Sequence, residues 1–289
     1  MPVVPLQLTG RPDIELTADC SRCFALCCSA LGFERSSDFA HDKPIGQACH
    51  NLADDFSCGI HDRLRAEGYR GCTSFDCFGA GQQVAQQTFD GVSWTAEPAS
   101  RKAMFAAFPV MRHLHEFLWY LDEALELHRA GRVPEGSPHN VAALLEEIAA
   151  LTRADADALV SLEVDALRPR IGEALTAVSA AARRGVGAAG IPKRVRPGAD
   201  LMGADLADRP LRGADLRGAY LIAADLRGAD LAFVDLLGAD LRDARLQRAD
   251  LSHSLYLTPM QVAASHGDAD TRLPARLERP AHWPKSYRL

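Results

Sequence analysis

The clearest pattern of hydrophobic and polar positions is a five-residue period near the end of the chain. Leucine stands at every fifth position of this stretch, and the two residues before it are most often alanine and then aspartate. The eleven leucines are Leu201, Leu206, Leu211, Leu216, Leu221, Leu226, Leu231, Leu236, Leu241, Leu246 and Leu251. An α-helix repeats every 3.6 residues and a strand every two, so neither keeps all of these leucines on one face. The period therefore predicts a repeat architecture of its own.

The repeated unit is A-D-L-x-x. The alanines two positions before the leucines are Ala199, Ala204, Ala214, Ala219, Ala224, Ala229, Ala239, Ala244 and Ala249. Arg209 and Val234 replace alanine in the other two units. The aspartates are Asp200, Asp205, Asp215, Asp225, Asp230, Asp235, Asp240 and Asp250. This signature closely resembles the pentapeptide repeat proteins.

The resemblance implies a right-handed quadrilateral β-helix over residues 199–256, in which each pentapeptide forms one side of a square coil. Leucine then fills the coil axis, and alanine points inward where the backbone is crowded. Stacked coils pair their backbones in parallel ladders about 4.8 Å apart, while aspartate, arginine and glycine face water and turn the corners. An open coil end exposes apolar residues, so we expect residues 257–289 to form a cap and tail. Thr258 and Pro259 predict a short helix there, as N-cap and first helical residue.

Helical periodicity dominates the stretch before the repeats. Apolar residues at helical spacing predict one long helix over 99–129 and one or two helices over 141–184, with a break at 131–138. We expect these helices to cover a cysteine-rich segment and to form with it an α-helical, metal-bound domain over residues 1–184. Residues 185–198 then serve as a linker or an irregular first coil.

Length and charge narrow the classes of protein. The 289 residues allow about two domains. A net charge of −6 and an isoelectric point near 5.9 argue against direct nucleic-acid binding. Residues 1–10 lack the basic start and apolar core of a signal peptide, and no apolar run is long enough to cross a membrane. We therefore expect a cytoplasmic protein with no membrane association.

The placement of the cysteines is the second strong signal. All eight stand within residues 20–77. They fall into three groups, which are Cys20, Cys23, Cys27 and Cys28, then Cys49 and Cys58, then Cys72 and Cys77. In a cytosolic protein such density is more typical of metal binding or redox chemistry than of structural disulfides. Thiolates at these short spacings can converge on one tetrahedral zinc ion.

A second resemblance rests on the later cysteines and their neighbours. The matching residues are Cys49-His-Asn-Leu, Phe56-Ser-Cys58-Gly-Ile-His61, Arg63, Cys72 and Phe75-Asp-Cys77. This segment looks like the bacterial family of zinc- or iron-chelating C-x-x-C-x-x-C-C domains, to which flagellin lysine-N-methylases are related. The chain departs from that pattern because three residues, not two, separate Cys23 from Cys27. Whether Cys27 or Cys28 takes the family's ligand position is therefore open.

All eight cysteines are the predicted ligands of zinc or iron. They allow two four-cysteine zinc sites, or an iron–sulfur cluster on four thiolates with the others structural or redox-active. Buried inert thiols are the competing interpretation. His61 is a weaker candidate for a nitrogen ligand than for a polar residue at a helix start, and His50 has no better claim. The pair Gly79 and Gly81 predicts a turn, since the third glycine of a dinucleotide loop is missing.

Three functions compete on these observations. The first is a non-enzymatic metal-binding protein, a redox or metal sensor whose β-helix is the scaffold for an unidentified protein partner. The second is the gyrase-protecting DNA mimic known among pentapeptide repeat proteins, but eleven repeats span only about 13 Å, against about 34 Å for one turn of duplex. The third is a methylase-like enzyme, which rests on the cysteine motif alone. We favour the first; no catalytic residue is predicted, and the oligomeric state is open.

Overall fold

The structure is a computed structural model and describes residues 7–8, 11–134, 140–187 and 189–284. These residues belong to two compact units. The first unit is formed by Met1–Glu126 and Pro138–Leu175, and the second by Leu127–Ser137 and Thr176–Leu289. The predicted N-terminal domain ends later, at residue 184, than the first unit. Parts of the predicted break, linker and tail, namely 135–138, 188 and 285–289, lie outside the described residues.

Short elements and a few longer helices make up the part of the chain before the repeats. In chain order they are β1 (Gln7–Leu8), β2 (Arg11–Glu15), α1 (Leu26–Ser29), α2 (Arg70–Ser74), α3 (Ala80–Gln83), α4 (Arg101–Arg129), α5 (Val141–Leu151), α6 (Ala156–Val160) and α7 (Arg168–Ala182). The strands β1 and β2 pair in an antiparallel hairpin. The sequence does not predict this hairpin, because strands of two and five residues are too short to show a period.

The long helix predicted over 99–129 is confirmed as α4. Much of its apolar stripe is completely buried, with no exposed surface at Met104, Phe108, Met111, Leu114 and Leu118. The helix continues through an internal proline. Among the described residues, none of the helices combines the length and the apolar character needed to cross a lipid bilayer.

The stretch 141–184 forms three helices rather than the one or two predicted. Capping side chains divide it. Asn140 accepts a hydrogen bond from an amide in the first turn of α5, and Asp155 does the same in α6 at 2.8 Å. The apolar stripe continues across these breaks at Ile148, Leu159 and Ile171, which are all buried. Spacing alone therefore hides the helix ends, because a short polar loop can leave the phase of the stripe almost unchanged.

The second unit contains a four-sided coil with twenty residues per turn. The backbone pairs in parallel at Asp200 with Tyr220, and this pattern repeats on each side of the coil. Leu206 donates its amide to the Asp225 carbonyl at 2.8 Å, and Asp225 donates its own to Ala204 at 2.9 Å. Stacked turns thus satisfy each other's peptide groups, as in a parallel sheet. The predicted β-helix is confirmed.

The interior of this coil is filled by the periodic residues. Each of the eleven leucines is at most 2 % exposed. The preceding alanines are buried as well, except Ala204, which is half-exposed near the first turn. The residue two positions after the leucine has a positive φ in the first ten of the eleven units, which explains why glycine recurs there, at Gly203 and Gly218 for example.

The aspartates turn the corners of the coil, as predicted. All eight accept a hydrogen bond from the amide two residues later, at 3.0 to 3.3 Å. This local bond holds the corner of the coil, as in an Asx turn. The expectation that all of them face water is wrong, since Asp235 is fully buried and Asp225 is 7 % exposed. The corner bond draws these carboxylates against the backbone.

The coil continues beyond the last repeat. His266 pairs with Arg245 and Arg272 pairs with Asp250, so two sides of the coil gain a further level that the five-residue period does not predict. The longest sides therefore hold four levels, or about 14 Å.

A short helix, α8 (Pro259–Ala263), lies in the predicted cap region and is confirmed. Thr258 and Gln261 form a reciprocal capping box, and Gln261 also donates its side-chain amide to the carbonyls of Leu236 and Ala239 at 2.8 Å. Further along, Trp283 is buried and donates its indole N–H to the Ser265 carbonyl at 3.0 Å. These contacts close the end of the coil.

We predict that Asp235 makes the stability of the second unit depend on pH. Burial raises the pKa of Asp235 from 3.8 to about 6, although Arg217 lies 3.5 Å away. The folded state therefore holds this proton more tightly than the unfolded chain, and the resulting stabilisation is complete below pH 3.8 and lost as the pH rises through 6. A rise of this size corresponds to at most about 3 kcal/mol.

Urea unfolding at several pH values tests this. Asp235→Asn should stabilise the unit increasingly from about pH 4 to about pH 7 relative to the native chain. Asp200→Asn is the control, because Asp200 makes the same corner bond but is exposed. A constant difference between Asp235→Asn and the native chain over this range would contradict the prediction.

Candidate metal centre

Eight free thiols lie on short elements of the first unit. Cys20 begins the 3-10 turn Cys20–Arg22, Cys27 and Cys28 lie on α1, and Cys72 lies on α2. The remaining cysteines are in loops. Helices of four or five residues are not stable alone, so contacts between segments must hold these thiols in place.

Cys23 and Cys77 lie together beside α3. Both sulfur atoms adjoin Gly81, whose missing side chain makes room for Cys23. Burial raises the pKa of Cys23 to about 12 and that of Cys77 to about 11. Backbone amides oppose this effect, since the Leu26 amide points at the Cys23 sulfur and the amides of Gly79 and Gly81 point at the Cys77 sulfur. Such donors stabilise thiolates, the form that binds metal.

Strained backbone flanks the same cysteines. Ala25 (φ 52°) and Phe78 (φ 53°) both have left-handed conformations, which cost non-glycine residues about 1–2 kcal/mol. Asp76 accepts a hydrogen bond from the Phe78 amide at 2.6 Å, and His115 of α4 donates from Nδ1 to the Phe78 carbonyl at 2.7 Å. His115 is fully buried, and burial lowers its pKa to about 4, so it is neutral. Helix α4 thereby fixes the turn that carries Cys77.

The other cysteines form a second neighbourhood around a buried lysine. Cys49 donates its amide to the Cys28 carbonyl at 2.9 Å, and Cys58 pairs with Leu52 in an antiparallel bridge. Burial raises the pKa of Cys72 to about 12, and the charges of nearby thiolates add to it.

Lys43 is only 6 % exposed, and its ammonium donates to the Leu31 carbonyl and, at 2.8 Å, to the Gln47 carbonyl. It also interacts electrostatically with Cys49, Cys28, Cys27 and Cys72. The cysteine spacing does not point to this residue. One signal could have identified it, since Lys43 is among only four lysines in the chain and stands between two cysteine groups.

Cys27 and Cys28 are adjacent in space as well as in sequence. Their sulfur atoms are 3.8 Å apart. Their mutual hydrogen bond raises the pKa of Cys27 and lowers that of Cys28 to about 7, where Lys43 also favours the thiolate. Cys28 is therefore the thiol of this pair that ionises first.

The candidate histidines follow Cys49 and Cys58 in the sequence and have contacts of their own. His61 is exposed and begins the turn His61–Arg63, as expected of a polar residue at a helix start. The His50 ring stacks on His41, with 2.8 Å between their Nε2 atoms, and Tyr69 places its hydroxyl 3.2 Å from the same His50 atom. The two partners of His50 lie far from it in the chain, so residue spacing does not predict these contacts.

The structure brings the thiols into two neighbourhoods but does not close a coordination sphere. Within the described ranges, no group of three or more histidine, cysteine, aspartate or glutamate side chains is arranged to hold a metal ion. Metal binding by the eight cysteines thus stays a prediction. Two surface pockets near β2 and α3 are lined by residues such as Asp13, Gln83 and Arg22, and no cysteine lines either pocket.

Comparisons with known proteins support the repeat region directly. The family model for pentapeptide repeats matches residues 199–232 and 224–254, with eight copies. A protein of Bacillus subtilis (strain 168) named "Uncharacterized protein YybG" is 48% identical to this chain over 269 residues, which is 93% of this chain and 95% of the relative. A match of this extent includes both the cysteine-rich segment and the repeats. The resemblance of the cysteine-rich segment to C-x-x-C-x-x-C-C domains stays a prediction.

We predict that Gly81→Ala destabilises the first unit. The new methyl group would overlap the Cys23 sulfur, and overpacking of this kind typically costs 1–3 kcal/mol. The matched control is Gly172→Ala in α7, where nothing lies within 4 Å of the added group. That change should stabilise the unit by about 0.5–1 kcal/mol through helix propensity. Urea unfolding monitored by circular dichroism measures both, and equal effects of the two changes would contradict the prediction.

Proposed function

This chain belongs to the same family as the protein named YybG of Bacillus subtilis and contains a region of pentapeptide repeats, and we propose that it is a metal-binding interaction scaffold. The cysteine-rich segment binds zinc or iron, including iron as an iron–sulfur cluster, and the β-helix presents a surface to a protein partner. The protein acts in the cytoplasm and has no catalytic role.

The observation that carries the metal proposal is the environment of the thiols. Eight free cysteines lie within 58 consecutive positions, of which Cys23 and Cys77 are buried and Cys72 is partly buried, and desolvation raises the pKa of these three. Backbone amides nevertheless point at the sulfurs of Cys23, Cys58 and Cys77. This donor set suits a thiophilic metal, because a metal ion replaces the protons and neutralises the thiolates that these amides favour.

The chemistry of the bound metal follows from its identity. Zinc in a site closed by four thiolates would be structural, whereas an iron–sulfur cluster would supply a redox couple. In either case the residues of the chain hold the ligands and limit the access of water. Lys43 would offset part of the negative charge of the thiolates.

The β-helix supports the scaffold role through its regular surface. Its peptide groups are satisfied by stacked turns, so the surface is a rigid array of side chains. Met202 and Tyr220 expose more than half of their surface, and they lie on neighbouring turns of the coil. Exposed apolar side chains on an otherwise charged surface are typical of protein contact sites.

The DNA-mimic alternative gains little support from the coil. Four levels span about 14 Å, less than half of one turn of duplex. Six of the repeat-region aspartates lie within ion-pair distance of arginine, which are Asp215, Asp225, Asp230, Asp235, Asp240 and Asp250. These pairs neutralise much of the charge that would imitate a polyanion.

The scaffold proposal predicts that the purified protein does not protect DNA gyrase from quinolones. Supercoiling assays with the drug present should give the same inhibition with and without this protein. A longer pentapeptide repeat protein with gyrase-protecting activity is the positive control. Strong protection at near-stoichiometric protein would favour the DNA-mimic function.

Metal content and the absorption spectrum of protein purified without oxygen test the metal proposal. We expect zinc without visible absorption, or iron with sulfide and a brown charge-transfer band. Zinc would direct the search for function to the β-helix surface, whereas a cluster would favour a sensor role and renew interest in the methylase-like alternative. Protein that binds neither metal when reconstituted would refute the proposal.

Cys72→Ala tests whether the metal stabilises the fold. We expect loss of metal and faster proteolysis of the first unit, while the β-helix stays resistant, because a segment with short helices depends on its metal. Ser74→Ala, also in α2, is the control that keeps every thiol. Unchanged metal content and protease resistance in Cys72→Ala would contradict the assignment.

A further inference from the structure

We propose that the eight cysteines form two separate four-sulfur metal sites, divided between the adjacent residues Cys27 and Cys28. The first sulfur set is Cys20, Cys23, Cys27 and Cys77. The second sulfur set is Cys28, Cys49, Cys58 and Cys72. This inference rests on the proposed metal-binding function and specifies its sites.

The first sulfur set is assembled around one turn and the start of α3. The 3-10 turn joins Cys20 to Cys23, with the Cys23 amide 3.4 Å from the Cys20 carbonyl. The sulfurs of Cys23 and Cys77 meet beside Gly81, although they are 54 positions apart in the sequence. Cys27 interacts electrostatically with both of them, and Cys20 does the same. All four members therefore lie in one neighbourhood.

The second sulfur set is assembled by loop contacts. The backbone bond between Cys49 and Cys28 places these residues side by side. Leu52 links the loop to Cys58, because its amide bonds to the Cys49 carbonyl at 3.0 Å and its backbone pairs with Cys58.

Cys72 of α2 completes this set. Its thiol interacts electrostatically with the other members, which are Cys28, Cys49 and Cys58. Helix α2 thus brings the fourth sulfur to the three that the loop contacts collect.

Cys28 lies at the boundary between the sets. The Cys28 and Cys27 sulfur atoms are 3.8 Å apart, a distance that would also suit two ligands of one ion with metal–sulfur bonds near 2.3 Å. The Cys28 thiolate charge also acts on Cys20 and Cys23. Two observations assign it to the second set, namely the backbone bond to Cys49 and the interactions of its thiol with Cys58 and Cys72. Each set then has the four ligands that a tetrahedral ion requires.

The surroundings of the two sets differ in charge. Lys43 places a buried cation near the second set, whereas the Asp76 carboxylate acts on Cys20 and Cys77 of the first. Four thiolates with a divalent ion carry a net charge of about −2. The lysine reduces this charge at the second site, and the aspartate increases it at the first. The two sites are therefore not equivalent.

Cobalt titration of the full-length metal-free chain, without oxygen, tests the division. Co²⁺ bound by thiolates in a tetrahedral site absorbs visible light, so the titration reports the number and type of sites. We expect two equivalents for the native chain and one each for Cys20→Ser and Cys58→Ser. The double variant Cys20→Ser/Cys27→Ser, within one set, should retain one equivalent. Cys20→Ser/Cys28→Ser, across the sets, should retain none.

The charge difference gives a second readout. Lys43→Met should weaken Co²⁺ binding on the order of tenfold in the Cys20→Ser background, where the second site remains. It should weaken binding several-fold less in the Cys58→Ser background, because Lys43 interacts with three members of the second set but only with Cys27 of the first. Circular dichroism before titration identifies folded variants, and Cys77→Ser or Cys49→Ser can replace a variant of the same set that does not fold.

The outcomes separate this inference from the proposed function. A native chain that binds no Co²⁺ refutes metal binding itself. One equivalent in the native chain, or loss of both ions in either single variant, overturns the division while metal binding stands. Retention of one ion by Cys20→Ser/Cys28→Ser, or its loss in Cys20→Ser/Cys27→Ser, places the boundary elsewhere and also overturns the division.

Discussion

Burial of a leucine side chain at every fifth position is the interaction on which the second unit depends. Each leucine is almost fully removed from water, so each side of the coil must turn within five residues. The turn requires a positive φ two residues after the leucine and a partner for the corner amide. Glycine often supplies the positive φ. The corner amide is bonded by the aspartate before the leucine in all eight repeats that contain this aspartate. The repeating aspartates are therefore part of the backbone architecture, and arginine neutralises most of them.

The cysteine-rich segment of the first unit depends on contacts between distant segments and not on a local repeat. This segment has helices of only four or five residues and strained residues such as Ala25 and Phe78, so little of its local structure would persist in isolation. Backbone bonds such as Cys49 to Cys28 and the buried anchor His115 hold the segments together. Burial raises the pKa of Cys23 and Cys77, yet backbone amides that favour the thiolate point at both sulfurs. An arrangement of this kind gains stability when a cation replaces the protons.

The two units occur together in a relative that matches 93% of this chain. A function carried by either unit alone would leave the other without a role. The proposed metal binding by the first unit, together with the proposed protein contact surface of the coil, would give both units a role. The exposed side chains Met202 and Tyr220, on neighbouring turns of an otherwise charged coil, offer a defined place to look for the partner.

The sequence by itself determined the elements whose signal is periodic or local. The five-residue leucine period gave the coil, the stripe over 99–129 gave α4, and Thr258 with Pro259 gave α8, because each is encoded by residues close together in the chain. The sequence also located the cysteines, but it did not group them. Only the tertiary structure brought Cys23 to Cys77 and placed Lys43 among the later thiols. It also buried Asp235 and added the further level of the coil at His266 and Arg272. These features depend on contacts between distant segments, and neither periodicity nor spacing records which segments meet.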